Sequence, residues 1–112
     1  MKFILHTFYN DSNPASDFIR SQTEQTQNII EKYFERYEQW DLMDLLKSGA
    51  IQKFKNQNFY EVTFGNFRFT GVILQRTMYL VHGFKKQSNK TSRKDIATSS
   101  KRVHKLLDEL KI

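Results

Sequence analysis

The feature that most constrains this chain is a change of hydrophobic period near residue 50. Before it, Ile29, Ile30, Tyr33, Phe34 and Tyr37 recur at three- and four-residue steps, the spacing of one helix face. After it, residues 58–64 and 67–74 are rich in β-branched and aromatic side chains, separated only by Gly65-Asn66. Two residues of that type between such runs signal a tight hairpin, because those turns need positive φ. A chain that switches period once in this way is neither a helical bundle nor an all-β sandwich. The expectation is a small α+β domain with helices against one face of a mainly antiparallel sheet.

The remaining segments fill in that order. Lys2 to Tyr9 reads as a first strand, and Asn10 to Pro14 as turn chemistry. Asn13 can cap a short helix that has Pro14 in its first turn and ends near Ser21. Thr23 to about Trp40 reads as a longer helix, and Asp41 to Lys47 as a further turn or two stopped by Gly49. Thr77 to Lys86 is the third strand of a meander, reached through Gln75-Arg76, although neither residue favours positive φ. Ser92 to Leu110 is a last helix, with Ser92 and Asp95 spaced as a capping box. Its inner stripe is expected at Ile96, Ser100, Val103, Leu107 and Leu110. The order is strand, helices, three-stranded antiparallel meander, C-terminal helix.

Two-residue turns fix which side chains share a face. Phe64 then opposes Phe67, Thr63 opposes Arg68, Val62 opposes Phe69 and Glu61 opposes Thr70. If the second turn also has two residues, Val72 opposes Tyr79 and Arg68 opposes Gly83. Met78, Leu80, His82 and Phe84 fall on the core face. The other face collects Glu61, Arg68, Tyr79 and Lys85, with Lys53 and Lys55 sharing the parity of Glu61 if the preceding strand begins early. An open sheet face bearing Arg, Lys, Tyr and one carboxylate suits phosphate and base contacts. A solvated face with a Glu61–Arg68 cross-strand pair is the alternative. A one-residue slip would invert part of the list.

Composition narrows the class. With 112 residues there is room for one domain, residues 1–112. Cysteine is absent, which excludes disulfides and thiolate zinc sites, and three histidines leave little for a metal. No apolar run approaches the ~20 residues that span a membrane, nor does the N-terminus resemble a signal peptide. No cofactor, metal or membrane contact is expected, and the location is expected to be cytoplasmic. The charge is polarised: residues 1–50 hold five basic and eight acidic side chains, residues 51–112 thirteen and four. Such asymmetry suggests a polyanionic partner on one face.

Several motifs together resemble the RelE/HigB superfamily of toxins from type II toxin-antitoxin systems, in its phage-derived Gp49-like branch. They are Phe59-Tyr60-Glu61-Val62, Phe67-Arg68-Phe69, Tyr79 through Lys86 (YLVHGFKK), Asn89-Lys90-Thr91 and Asp95-Ile96-Ala97. The resemblance implies a RelE-like fold and a ribonuclease that cuts mRNA on the ribosome. It also implies an antitoxin partner, often a small helix-turn-helix protein. By position, Arg68 matches the arginine of the family's Y-R-V, Lys85 and Lys86 its K-K pair, and Glu61 the glutamate of L-Y-E-L-R. Thr63 stands where the family usually has arginine, Ser92 where it has proline, and Gln87 where it has threonine.

Metal-free RNA cleavage uses the ribose 2′-OH as nucleophile, so an enzyme must remove that proton, neutralise the phosphorane and protonate the 5′-oxygen. Arg68 suits the second task through its planar fork, with Lys85 and Lys53 or Lys55 adding charge. Glu61 is a candidate base or the partner that orients Arg68. Tyr79 could stack on a base or donate a proton. Lys86, Lys90, Arg93, Lys94, Lys101, Arg102 and Lys105 read as the RNA-binding footprint. His82 reads as a satisfied core histidine, and His6 has no evident partner. Among the histidines only His104 could serve near the C-terminus. Trp40 and the aromatic stripe read as core or antitoxin-facing surface. Two other readings stay open: a non-catalytic RNA- or DNA-binding module, and a protein-interaction module of phage origin.

Overall fold

Each helix begins where a side chain can accept a free backbone N–H. Asn13, Thr23, Asp41 and Ser92 cap α1 (Pro14–Arg20), α2 (Glu24–Glu38), α3 (Leu42–Ser48) and α4 (Arg93–Leu110), each accepting from the amide three residues on. Gly49 ends α3 in the left-handed conformation, φ 81°. The computed structural model describes residues 1–111. In it these helices flank a five-stranded mixed sheet, β1 (Lys2–Leu5), β2 (Ile51–Lys53), β3 (Tyr60–Phe64), β4 (Phe67–Leu74) and β5 (Thr77–Lys85). The strand order is β1-β5-β4-β3-β2, with β1 parallel to β5 and every other pair antiparallel. The chain is thus a single α+β domain.

The β3–β4 hairpin has the register that its turn implies, from Phe64 opposite Phe67 to Glu61 opposite Thr70. Only Gly65 takes positive φ there (61°), the pattern of a type II′ turn. The next turn closes at Leu74 opposite Thr77, with Gln75 and Arg76 both at positive φ (49° and 65°).

Four expectations need correction. The first strand ends at Leu5, not Tyr9, because the chain turns at 8–12 (Asp11 N–H to Phe8 O, Phe8 N–H to Ser12 O) and buries Phe8 in a second core. An additional strand, β2, lies at the far edge and pairs Lys53 with Tyr60, so Lys53 has the parity of Tyr60 and not of Glu61. A bulge interrupts β4–β5 between Thr70 and Gly71: Gly71 faces Leu80, Thr70 faces His82, and Val81 is the extra residue. A Cβ on Gly71 would lie 1.8 Å from the Tyr79 carbonyl oxygen, so the strands can approach this closely only at a glycine. Past the bulge every β5 side chain changes face. Arg68 opposes Phe84, His82 and Phe84 join the Glu61 face, and Lys85 opposes Phe67 on the other.

The fourth correction concerns the layers. The sheet face built on Val62, Phe64, Phe69, Met78 and Leu80 packs against the N-terminal helices, which contribute Ala15, Ile30 and Leu45. The opposite face is not open, because α4 lies across it over Phe59, Val81 and Phe8. The buried stripe of α4 is Ser99, Val103 and Leu106, whereas Leu110 is exposed. A hydrogen bond of 2.7 Å between the buried hydroxyls of Thr70 and Ser99 joins β4 to the middle of α4.

Candidate nucleic-acid interface

Because α4 starts only at Arg93, it leaves uncovered the β2–β3 end of its sheet face. There Glu61 is held from two sides. Arg68 Nε lies 3.6 Å from Glu61 Oε1, and the Thr91 hydroxyl donates to Oε2 at 3.0 Å. The Arg68 and Glu61 side chains are only 15% and 12% exposed, so the pair is screened far less than a surface ion pair. Arg68 Nη1 also donates to the carbonyls of Gly65 (2.6 Å) and Phe67 (3.0 Å), which ties the guanidinium to the hairpin turn.

Next to Glu61 is an open pocket of about 460 Å³ walled by β2, the 54–59 loop and the segment after β5. Lys53, Lys55, Lys86 and Lys90 line it together with Glu61, Asn89 and Thr91. Four lysines and one carboxylate in the lining leave the pocket a local excess of positive charge, the condition for attracting a phosphodiester. The Lys53 ammonium donates to the Gln57 carbonyl and lies 5.9 Å from the Tyr60 ring centroid, so this lysine braces the loop that carries Lys55.

The structure therefore brings together Glu61, Arg68, Lys53, Lys55, Lys86 and Lys90. Lys85 is exposed at the end of β5 with the parity of Phe67, away from Glu61. Tyr79 shares the Glu61 face but packs in the α4 core, 6.4 Å from the His6 ring. Arg93 and Lys101 line a separate groove with Asn58 and His104 along the outer side of α4, and Lys94 is exposed at the start of that helix. Lys105 lies 4.9 Å over the Phe8 ring, as a cation–π contact. Arg102 is half-buried and donates to the Val81 carbonyl (3.2 Å) and to His82 Nδ1 (2.9 Å).

That last bond defines His82. With Nδ1 accepting from Arg102, the proton sits on Nε2, which donates to Asp95 Oδ1 at 2.8 Å. Burial lowers the His82 pKa, the bond to Asp95 opposes the shift, and the Arg102 charge lowers it further. The neutral ring is a clamp between β5 and two turns of α4, satisfied as expected, but on the face opposite to the expected one. His6 is also held below its ordinary pKa by burial, against the nearby Glu109 carboxylate at 3.7 Å. Sequence reasoning missed Thr91 and Asn89 as parts of the pocket, although the Asn89-Lys90-Thr91 motif had marked the segment.

A mixed sheet between two helical layers, with a lysine-lined pocket at one edge, is the class of molecule these features define. The chain belongs to the phage-derived Gp49-like protein family (DUF891), whose model matches residues 17–104. That span includes every pocket residue named above. No curated protein matches the chain. Among the described residues, no helix is long and apolar enough to cross a membrane.

Proposed function

We propose that this protein is the toxin of a toxin-antitoxin system, an endoribonuclease that cuts mRNA on the ribosome from the lysine pocket beside Glu61. The observation that carries this reading is a pocket lined by Lys53, Lys55, Lys86 and Lys90 together with a single carboxylate that is itself fixed by Arg68 and Thr91. The scissile phosphate sits among the ammonium groups, which offset the charge that builds on the phosphorane oxygens. Glu61 accepts the 2′-hydroxyl proton. The 2′-oxygen bonds to phosphorus, the bond from phosphorus to the 5′-oxygen breaks, and a lysine ammonium returns a proton to that oxygen. The products are a 2′,3′-cyclic phosphate and a 5′-hydroxyl. Arg68 acts through Glu61, since Nε faces that carboxylate and Nη1 is engaged by backbone carbonyls.

The proposed partners are mRNA on the ribosome and an antitoxin of the small helix-turn-helix type, and the proposed site of action is the cytoplasm. One observation favours a second reading, a non-catalytic RNA-binding module: Arg68 is committed to the hairpin turn, and Thr63 beside it adds no charge. Induced expression separates the two. The wild-type chain is expected to arrest growth, with Glu61→Gln and Lys86→Ala each relieving the arrest. Arrest that persists in both variants refutes the pocket as the site. For the purified chain, phosphate contacts from Lys55, Lys86 and Lys90 give a log–log salt slope of about −2 on single-stranded RNA.

A further inference from the structure

The sheet has a second unpaired edge, far from the lysines. β1 is bonded only to β5. His6 N–H points inward to the Leu80 carbonyl, so by the alternation of a parallel ladder Phe3 and Leu5 turn their backbone groups outward. The Asn13 side chain donates to the Leu5 carbonyl (2.9 Å). Among the described residues, nothing bonds the outward Phe3 N–H, Phe3 carbonyl and Leu5 N–H.

Alongside this edge runs a groove of about 420 Å³ between β1 and α2, with Phe3, Leu5, Ile30 and Phe34 on its apolar wall. The charged side chains of its rim have one sign, although the Met1 ammonium donates to the Glu38 carbonyl at one end. Glu24, Glu31 and Glu38, spaced seven residues apart on α2, all border it and are all exposed. The only basic residue of β1, Lys2, has the parity of Thr77 and Tyr79 and so projects from the opposite sheet face. The acidic row extends for about 21 Å along the helix, the length of about six residues of strand.

An edge with free backbone groups, an apolar wall and an anionic rim matches one ligand chemistry: an extended segment that alternates apolar and Lys or Arg side chains. We infer that this edge is a docking site for such a basic strand of a partner protein, which would join the sheet as a sixth strand beside β1. Its backbone pairs with Phe3 and Leu5, the aliphatic stems of its Lys or Arg side chains cross the apolar wall so that their cations meet the three glutamates, and the alternate apolar side chains lie beside Ile4 on the other sheet face. Because β1 and β2 are opposite edges of the sheet, a strand bound here leaves the lysine pocket open. The inference does not depend on RNA cleavage.

The test uses the full chain and a fluorescein-labelled nine-residue peptide of alternating Lys and Val, with a Glu/Val peptide as control. Anisotropy is expected to show at least tenfold tighter binding of the Lys peptide. The Glu24→Gln/Glu31→Gln/Glu38→Gln variant is expected to lose about tenfold, and Glu31→Gln alone an intermediate amount. At saturation, amide exchange at Phe3 and Leu5 should slow at least tenfold, which charge attraction alone would not cause. Equal affinity for the triple variant, no binding at millimolar peptide, or unchanged exchange at Phe3 and Leu5 overturns the inference. So does a dimer of the chain that occupies this edge and excludes the peptide.

Discussion

Replacing Ser99 by alanine should destabilise the protein out of proportion to the one oxygen removed. Thr70 and Ser99 are both fully buried, and their hydroxyls bond each other at 2.7 Å where α4 crosses β4. Ser99→Ala leaves the Thr70 hydroxyl on a strand, under a helix, with no other partner, which costs about 1–3 kcal/mol. Thr70→Val should cost less, about 1 kcal/mol, because a helical serine can turn its hydroxyl back to the carbonyl four residues earlier. The double variant removes donor and acceptor together and keeps the volume, so it should lie closer to wild type than the two single losses added. Urea unfolding of the four proteins gives the cycle, with a coupling of about 1 kcal/mol or more expected. In thermal unfolding, Ser99→Ala should melt about 4–12 °C lower. A Ser99→Ala loss under about 0.5 kcal/mol with additive behaviour would refute the placement of α4 on this face.

Two further outcomes follow from the backbone and the histidines. Gln75 and Arg76 both occupy the left-handed region, which costs a residue with a side chain about 1–2 kcal/mol. Gln75→Asn with Arg76→Gly should therefore raise stability by about 1 kcal/mol, read as a higher urea midpoint with unchanged slope. His82 and His6 both have folded pKa values below 6.5, chiefly through burial. The unfolded chain then binds more protons, so their contribution to stability is complete above pH 6.5 and declines as pH falls below it. Urea midpoints between pH 8 and pH 5 should fall, and His82→Gln should flatten the curve; an unchanged curve would contradict the neutral clamp.

What could be read in the sequence was local. Asn13 and Ser92 act through amides three residues away, and Gly65-Asn66 sets its hairpin register within four residues, so these two caps and the turn were legible, whereas Thr23 and Asp41 were read only as helix starts. The bulge was not, because it depends on Gly71 meeting the Tyr79 carbonyl across the sheet. Misplacing that one residue reversed His82, Phe84 and Lys85. The side of the sheet covered by α4 did leave a signal. The face expected to be open also carried Phe59, Val72 and Val81, three apolar residues that needed cover. Of the candidate site, the residue types were legible, and so was the Glu61–Arg68 pairing. The grouping of Lys53 and Lys55 with Lys86 and Lys90 was not, since it arises where β2 and the segment after β5 meet around Glu61.

The most direct measurement is the chemistry of RNA ends in cells induced to express the chain. Fragments of mRNA ending in a 2′,3′-cyclic phosphate, with matching 5′-hydroxyls, should accumulate with the wild-type chain and disappear with Glu61→Gln and Lys86→Ala. Absence of such ends from wild-type cells, or equal amounts with the two variants, would contradict cleavage at the lysine pocket.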